Sequence, residues 1–208
     1  MINHSRKYIF VHIPKTAGTS IERALLKHEG VTIDNSIYPL SSLSLEYQRQ
    51  YQLVVRGSTQ HWPLSKFSVG CQKEYFCFTF VRNPWDLMVS EFLYRLKTKG
   101  TTAEIQPADA DFQRKFKRFI RFGRAQRYHR RPQHRFINER MDFIGRFESL
   151  EEDFYRISKR IGLGTLELPH SNPTSRGQYW DYYDDASRAL VHKKFRRDID
   201  QFGYTFGE

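Results

Sequence analysis

Near the start of the chain, a lysine, a glycine and three hydroxyl residues stand between an apolar segment and an amphipathic one. The apolar segment ends at Val11, and residues 21–27 have helical periodicity. The N–H groups and positive dipole end of a helix bind anions. A lysine adds a full charge, and a glycine permits close backbone approach. The spacing predicts a phosphate-like anion site, which we call the anion loop: Lys15, Thr16, Ala17, Gly18, Thr19 and Ser20.

This pattern differs from the loop that binds nucleoside triphosphates. That loop reads G-x-x-x-x-G-K-[ST], with the lysine after the second glycine. Here Lys15 precedes Gly18 by three positions, and no glycine opens the loop. The lysine is placed to reach forward, beside the terminal group of a ligand. An ordinary strand-to-helix turn with an exposed lysine is the alternative.

A second candidate anion site follows another apolar segment. Arg82 stands where the aromatic run 74–81 ends, and Ser90 lies eight residues further along a helix that Asn83 and Pro84 are suited to begin. An arginine fork beside a hydroxyl binds phosphate. In the alternative interpretation, Arg82 forms a structural ion pair and Ser90 bonds back to the carbonyl of residue 86.

The elements that position these residues alternate along the chain. A length of 208 residues and a hydrophobic content of 39% predict one folded domain, residues 1–208. Alternating strands and helices indicate an α/β fold, a central parallel β-sheet flanked by helices. In such sheets, ligands bind where strands end. Three polar clusters should therefore converge on one crevice: Lys15 to Ser20, Ser58 to His61, and Arg82 with Asn83.

The charge of the chain favours anionic partners. Its 34 Lys and Arg residues outnumber 23 Asp and Glu, a formal charge of +11. Residues 112–135, the basic segment, contain ten Lys or Arg and no acid. Its aromatic residues recur at helical spacing, so one face packs and the other is basic. We expect the basic face to bind an anion, with a simply solvated face as the alternative.

Two further features bear on the setting of the protein. Cys71 and Cys77, if both lie on one extended segment, are too far apart for a disulfide, which favours a reducing, cytoplasmic location. No apolar run approaches the length of a membrane span.

Two motifs resemble the sulfotransferases that use 3′-phosphoadenosine 5′-phosphosulfate (PAPS). They are His12-Ile-Pro-Lys-Thr-Ala-Gly-Thr-Ser20 and Phe80-Val-Arg-Asn-Pro-Trp-Asp-Leu-Met-Val-Ser90. The resemblance is to the carbohydrate branch, which includes the heparan and chondroitin enzymes and bacterial relatives. Three supporting patches are similar to that branch: 144–148, 172–176 and 202–206. Between about 97 and 140 we recognise no motif of that branch.

The resemblance implies a P-loop-NTPase-like sulfotransferase fold and a role for each site residue. The anion loop would hold the 5′-phosphosulfate, with Lys15 at the bridging oxygen and sulfuryl group. Arg82 and Ser90 would hold the 3′-phosphate. Thr174 and Arg176 would close over the nucleotide. Sulfuryl transfer to a hydroxyl would leave adenosine 3′,5′-bisphosphate (PAP) as the product.

Transfer to a hydroxyl also needs a base, and His61 is the candidate. The sequence also predicts a short strand at 31–33 and a firmer one at 52–57. His61 follows the latter, and its unperturbed pKa suits proton transfer near neutral pH. Alternatively, His61 packs on Trp62 or caps a carbonyl, and Glu22 and Glu91 are the reserve candidates. No metal-ligand cluster is visible in the sequence, so we expect no metal requirement.

Two other functions remain open at this stage. A nucleotide or small-molecule kinase would need a glycine-led loop and Mg²⁺ ligands, which the sequence lacks. A nucleic-acid-binding protein could use the basic segment, but no base-recognition motif is present, so we expect no nucleic-acid partner. The basic segment instead suggests a carbohydrate acceptor of acidic character, such as a uronic-acid polysaccharide.

Overall fold

The structure is a computed structural model that describes residues 1–30, 53–54, 60–98, 100, 109–122, 129–169 and 177–208. It divides into two compact units. The first unit comprises Met1–Val81 with Arg135–Pro173, and the second comprises Arg82–His134 with Thr174–Glu208. The predicted strand at 31–33 and most of the one at 52–57 lie outside the described residues.

The first unit contains a five-stranded sheet in the order β3-β1-β2-β4-β5. Strands β2, β4 and β5 are parallel, whereas β1 is antiparallel to both β2 and β3. The strands are β1 Ile2–Asn3, β2 Tyr8–Val11, β3 Leu53–Val54, β4 Phe76–Val81 and β5 Phe143–Arg146. The predicted α/β fold with a mostly parallel sheet is confirmed. Strand β1 was not predicted, because two residues carry too short a pattern.

Six α-helices occur in the described residues. They are α1 Gly18–His28, α2 Val69–Glu74, α3 Pro84–Thr98, α4 Ala110–Phe122, α5 Leu150–Arg160 and α6 Asp185–Phe202. None of them is long and apolar enough to cross a membrane. Helix α2 was not predicted, and it contains Cys71, so the assumption that both cysteines share one extended segment is wrong. Cys71 and Cys77 are nevertheless free thiols.

One face of the sheet carries large aromatic side chains that pack against α1 and α5. Tyr8, Phe10, Phe78 and Phe80 are fully buried there, in one cluster with helix residues such as Leu25 and Phe154. Alternate strand residues on the opposite face, including Ile9 and Val11, are fully buried as well. Burial on both faces explains why these strands read as continuous apolar runs.

The second unit is helical and has an aromatic core. Phe92 of α3 contacts Phe112, Phe116 and Phe119 of α4 with ring centroids 5.1 to 5.4 Å apart. The predicted helical spacing of the basic segment is thus confirmed for residues 112–122. Helix α6 begins with a capping box between Asp184 and Ser187.

The capping interaction predicted for the start of α5 is wrong. The sequence Ser149-Leu-Glu-Glu152 predicts a capping box at the start of α5, but the Ser149 side chain makes no cap hydrogen bond. The reason is that Phe147–Ser149 form a 3₁₀ turn, which gives Ser149 a φ of −122° and a ψ of 35° instead of the extended backbone of an N-cap.

Acidic residues from outside the basic segment form ion pairs with some of its cations. Asp111 pairs with Arg114 and Lys115, and Asp184 pairs with Lys117. Both acids lie outside residues 112–135, so the sequence of the segment alone could not reveal them. Arg114, Lys115 and Lys117, all within the described residues, therefore have carboxylate partners.

Candidate active site

The anion loop connects β2 to α1 in a strained conformation. Lys15 has a φ of 68° and Ala17 a φ of 65°, both in the left-handed region that residues with a Cβ avoid. Thr16 lies between them with no exposed surface, and its hydroxyl donates to the Ile13 carbonyl at 2.9 Å. The Thr16 hydroxyl proton thus bonds inside the loop. Strain of this kind clusters at functional sites.

The N-terminus of α1 is electrostatically suited to an anion. Its N-cap residue is Ala17, which provides no side-chain cap, and the first turn contains no acidic residue. The Ala17 carbonyl accepts the N–H groups of Ser20 and Ile21 at 2.9 and 3.1 Å. A helix start with a positive dipole end and no acidic residue in its first turn favours a bound anion.

Gly18 is required by its contact with His12. A Cβ at Gly18 would lie 2.1 Å from His12 Cδ2 and 2.2 Å from His12 Nε2. The His12 ring therefore packs directly against the start of α1. Sequence reasoning assigned Gly18 to close approach of a ligand, whereas the structure shows close approach of a buried imidazole.

A buried polar cluster lies beneath the anion loop. Glu22 has no exposed surface, its Oε1 is 3.1 Å from His12 Nδ1, and its Oε2 accepts a 2.9 Å hydrogen bond from Gln60 Nε2. The His12 contact is an ion-pair distance with poor hydrogen-bond alignment. Burial raises the pKa of Glu22, but His12, the N-terminal ammonium of Met1 and Gln60 together outweigh this effect and hold the pKa below its usual value.

His61 lies at the carboxyl end of β2, beside the anion loop. Its Nδ1 is 3.0 Å from the His12 carbonyl oxygen, and the two imidazole rings meet edge to face at 4.6 Å. Because a carbonyl only accepts, His61 Nδ1 carries a proton in this contact. The proposed base and the anion loop are thus neighbours. The contact of His61 Nδ1 with this carbonyl is also the one expected if His61 only caps a carbonyl, the alternative considered from the sequence.

Arg82 in the second unit forms the ion pair that was considered as its structural alternative. Its Nε donates to Asp86 Oδ2 at 2.7 Å, and only 7% of the Arg82 side chain is exposed. Asn83 Oδ1 accepts the Trp85 N–H at 3.1 Å, which confirms the predicted N-cap of α3. Ser90 is buried on the same helix.

Two residues that sequence reasoning missed hold Arg82 in place. The Gln133 side-chain amide accepts the Arg82 N–H at 2.9 Å and donates to the Arg82 carbonyl at 2.7 Å. Asp198, fully buried, accepts the N–H groups of Gln133 and His134 at 2.7 and 2.9 Å and pairs with the His134 ring. The sequence did carry one signal, an acid on the apolar stripe of α6 between Phe195 and Phe202.

The remaining predicted residues are engaged elsewhere or not described. Glu91, a reserve base, is 2% exposed and pairs with Arg95 and His129 at 3.3 and 3.1 Å. Thr174, Arg176 and Ser58 lie outside the described residues. Convergence of the three polar clusters on one crevice stays a prediction.

Comparison with known proteins adds a family assignment. The model of the sulfotransferase family matches residues 1–205. An uncharacterized protein of Archaeoglobus fulgidus is 33% identical over 93 residues, which cover 43% of this chain and 69% of the relative. No solved structure matches the chain significantly.

Proposed function

The chain belongs to the sulfotransferase family, whose reaction is sulfuryl transfer, and we propose that, as one domain, it transfers this group from PAPS to a hydroxyl of a carbohydrate. One observation carries the proposal: a strained loop with Lys15 leads into a helix whose N-cap, Ala17, provides no side-chain cap. Such a helix start suits the doubly anionic phosphosulfate, with Lys15 beside it.

The proposed donor site has two anion-binding parts, one for each phosphorylated end of the nucleotide. The anion loop takes the 5′-phosphosulfate through its backbone N–H groups and the hydroxyls of Thr19 and Ser20. Arg82 and Ser90 take the 3′-phosphate, and Thr174 and Arg176 close over the nucleotide. In this role, the bond from Arg82 Nε to Asp86 would hold the guanidinium plane in one orientation.

The proposed reaction is an in-line displacement through a loose transition state. The donor supplies a sulfuryl group on a phosphate leaving group. The acceptor oxygen forms a bond to sulfur while the bond from sulfur to the bridging oxygen breaks. Lys15 and the N–H groups of the loop stabilise the negative charge that develops on the bridging oxygen. The leaving phosphate needs no metal in this scheme, and we expect no metal requirement.

His61 takes the proton of the acceptor hydroxyl on Nε2. Its Nδ1–H is held by the His12 carbonyl, which fixes both the tautomer and the ring plane. Glu22 and Glu91 are less suited, because each is buried and bound to other side chains. Proton transfer to a general base contributes about 100- to 10,000-fold to the rate.

The acceptor is proposed to be an acidic polysaccharide that contacts cationic surfaces of the second unit. Arg118 and Arg121 remain on the exposed side of α4. A groove of about 690 Å³ on α6 adds further cations, and its lining residues are Lys193, Lys194, Arg196, Arg197, Asp200 and Gln201. Burial, together with the charge of Arg130, lowers the pKa of Lys194 to about 8. Crowded cations favour a polyanion between them.

A titration of nucleotides tests the donor assignment. The protein should bind PAP by calorimetry without any metal, and it should bind ATP with Mg²⁺ far more weakly. Lys27→Ala, on the exposed last turn of α1, is the control for Lys15→Ala, which should weaken PAP binding. Tighter binding of ATP with Mg²⁺ than of PAP would overturn the proposal in favour of a kinase.

A further inference from the structure

Glu22 is a buried carboxylate that has no role in the mechanism above. It contacts two residues that adjoin the proposed base His61. Glu22 Oε2 accepts a hydrogen bond from Gln60, and Glu22 Oε1 lies 3.1 Å from His12 Nδ1. Gln60 precedes His61 in the chain, and the His12 carbonyl accepts the His61 Nδ1–H. We propose that Glu22 is a positioning residue that holds His61 in the tautomer and orientation needed to accept the proton. This inference rests on the proposed function of His61.

The first route runs through Gln60. Its side chain is buried, with 8% exposed, and its Nε2 donates to Glu22 Oε2 at 2.9 Å. A fixed side chain at position 60 restrains the backbone that carries His61. Only one peptide unit separates the restrained residue from the imidazole, so little freedom remains between them.

The second route runs through the His12 ring. Glu22 Oε1 lies 3.1 Å from His12 Nδ1, and the ring stands edge to face with the His61 ring at 4.6 Å. The same residue provides the carbonyl that accepts the His61 Nδ1–H at 3.0 Å. Holding His12 therefore holds both the ring that packs on His61 and the acceptor that selects its tautomer.

Helix α1 also joins this cluster to the anion loop. Gly18 and Glu22 are four residues apart, so they share one face of the helix. The His12 ring packs on that face, because a Cβ at Gly18 would lie 2.1 Å from it while Glu22 pairs with its Nδ1. The helix whose N-terminus would hold the phosphosulfate thus also carries the carboxylate that places the base. One rigid element would therefore link the position of the sulfuryl group to that of the base.

A double-mutant cycle tests the inference in the full-length protein. Glu22→Gln should lower kcat for sulfuryl transfer about 10- to 100-fold, as expected when a group that orients a histidine is removed. The dissociation constant for PAP should stay within about threefold. In a His61→Ala background, Glu22→Gln should leave the residual rate unchanged, since Glu22 acts through His61. Additive losses would overturn the inference.

Control and second variants keep the test informative if Glu22→Gln folds poorly. Gln60→Leu removes only the bond to Oε2, and a smaller loss of kcat is expected with PAP affinity again retained. Glu29→Gln, at the end of the same helix and paired with Arg6, is the matched control and should change neither value. Unchanged kcat in both Glu22→Gln and Gln60→Leu would overturn the inference.

Nitrogen NMR of the His61 imidazole separates this inference from the proposed function, because it needs no substrate. The wild-type ring should show a protonated Nδ1 and an unprotonated Nε2 at pH 8, and Glu22→Gln should give a mixture of tautomers. An unchanged tautomer would overturn the inference even if the enzyme transfers sulfate. Absence of PAP binding in the wild-type protein would instead overturn the proposed donor.

Discussion

Gln133 binds both backbone groups of Arg82 through a single side-chain amide. The amide oxygen accepts the Arg82 N–H at 2.9 Å, and the amide nitrogen donates to the Arg82 carbonyl at 2.7 Å. Gln133 itself is fully buried, and Asp198 accepts its backbone N–H at 2.7 Å. Two residues distant in sequence thus fix the backbone of the arginine assigned to the 3′-phosphate.

The Gln133→Leu substitution should weaken both folding and nucleotide binding. Each Arg82 backbone group left without this partner costs about 1–3 kcal/mol of unfolding free energy. PAP affinity should fall about tenfold or more, because the Arg82 backbone that carries the guanidinium is no longer held in place. Urea unfolding and calorimetry measure the two effects. Gln201→Leu, exposed on α6, is the control. PAP affinity equal to that of the wild type would show that Gln133 does not position Arg82.

The Gly18→Ala substitution should disrupt the start of α1. The added methyl would meet the His12 ring at 2.1 Å, so the ring or the helix must shift, at a cost of about 1–3 kcal/mol. PAP binding should fall together with stability. Gly70→Ala is the matched control, since a Cβ at Gly70 meets nothing within 4 Å and alanine favours a helix by about 1 kcal/mol. Equal stability of the two variants would contradict the close packing of His12 on Gly18.

Binding of an acidic polysaccharide should depend on pH through Lys194. Burial and Arg130 lower the pKa of Lys194 to about 8, so its charge disappears as pH rises through that value. A bound polyanion favours the charged form of Lys194, so the loss of charge occurs at a slightly higher pH in the complex. Affinity for a uronic-acid polymer should fall about two- to fivefold from pH 7 to pH 9, the scale of one partly screened ion pair.

Arginine substitutions provide the control for this pH effect. Lys194→Arg should remove the decrease, because arginine stays charged throughout this range. Lys193→Arg, at the exposed neighbouring position, should keep it. Fluorescence titration at constant ionic strength measures all three proteins. A decrease that persists in Lys194→Arg would assign the pH dependence to another group.

Local sequence patterns were sufficient for the elements that carry the candidate site. The run 8–11 and the periodicity after Gly18 define β2 and α1, and Asn83 with Pro84 defines the start of α3. Each of these depends on residues within a few positions of one another. The anion loop could therefore be predicted without knowledge of the tertiary structure.

The contacts that organise the site could not be predicted in this way. Glu22 and Gln60 are 38 residues apart, and Gln133 and Asp198 are 65 apart. No periodicity links such pairs, since tertiary packing alone brings them together. The same limit applies to Lys117, whose partner Asp184 belongs to the N-cap of α6. Its positive charge looked unbalanced only because the partner is distant in sequence.

Transfer of labelled sulfate from PAPS tests the central claim most directly. Wild-type protein should sulfate a uronic-acid polysaccharide without added metal. Lys15→Ala should lower kcat about 100- to 1,000-fold, because the bridging oxygen loses its charge partner. Lys27→Ala, at the other end of α1, should retain wild-type turnover. Wild-type protein that transfers no sulfate from PAPS to any hydroxyl acceptor, or Lys15→Ala protein with normal turnover, would contradict the account.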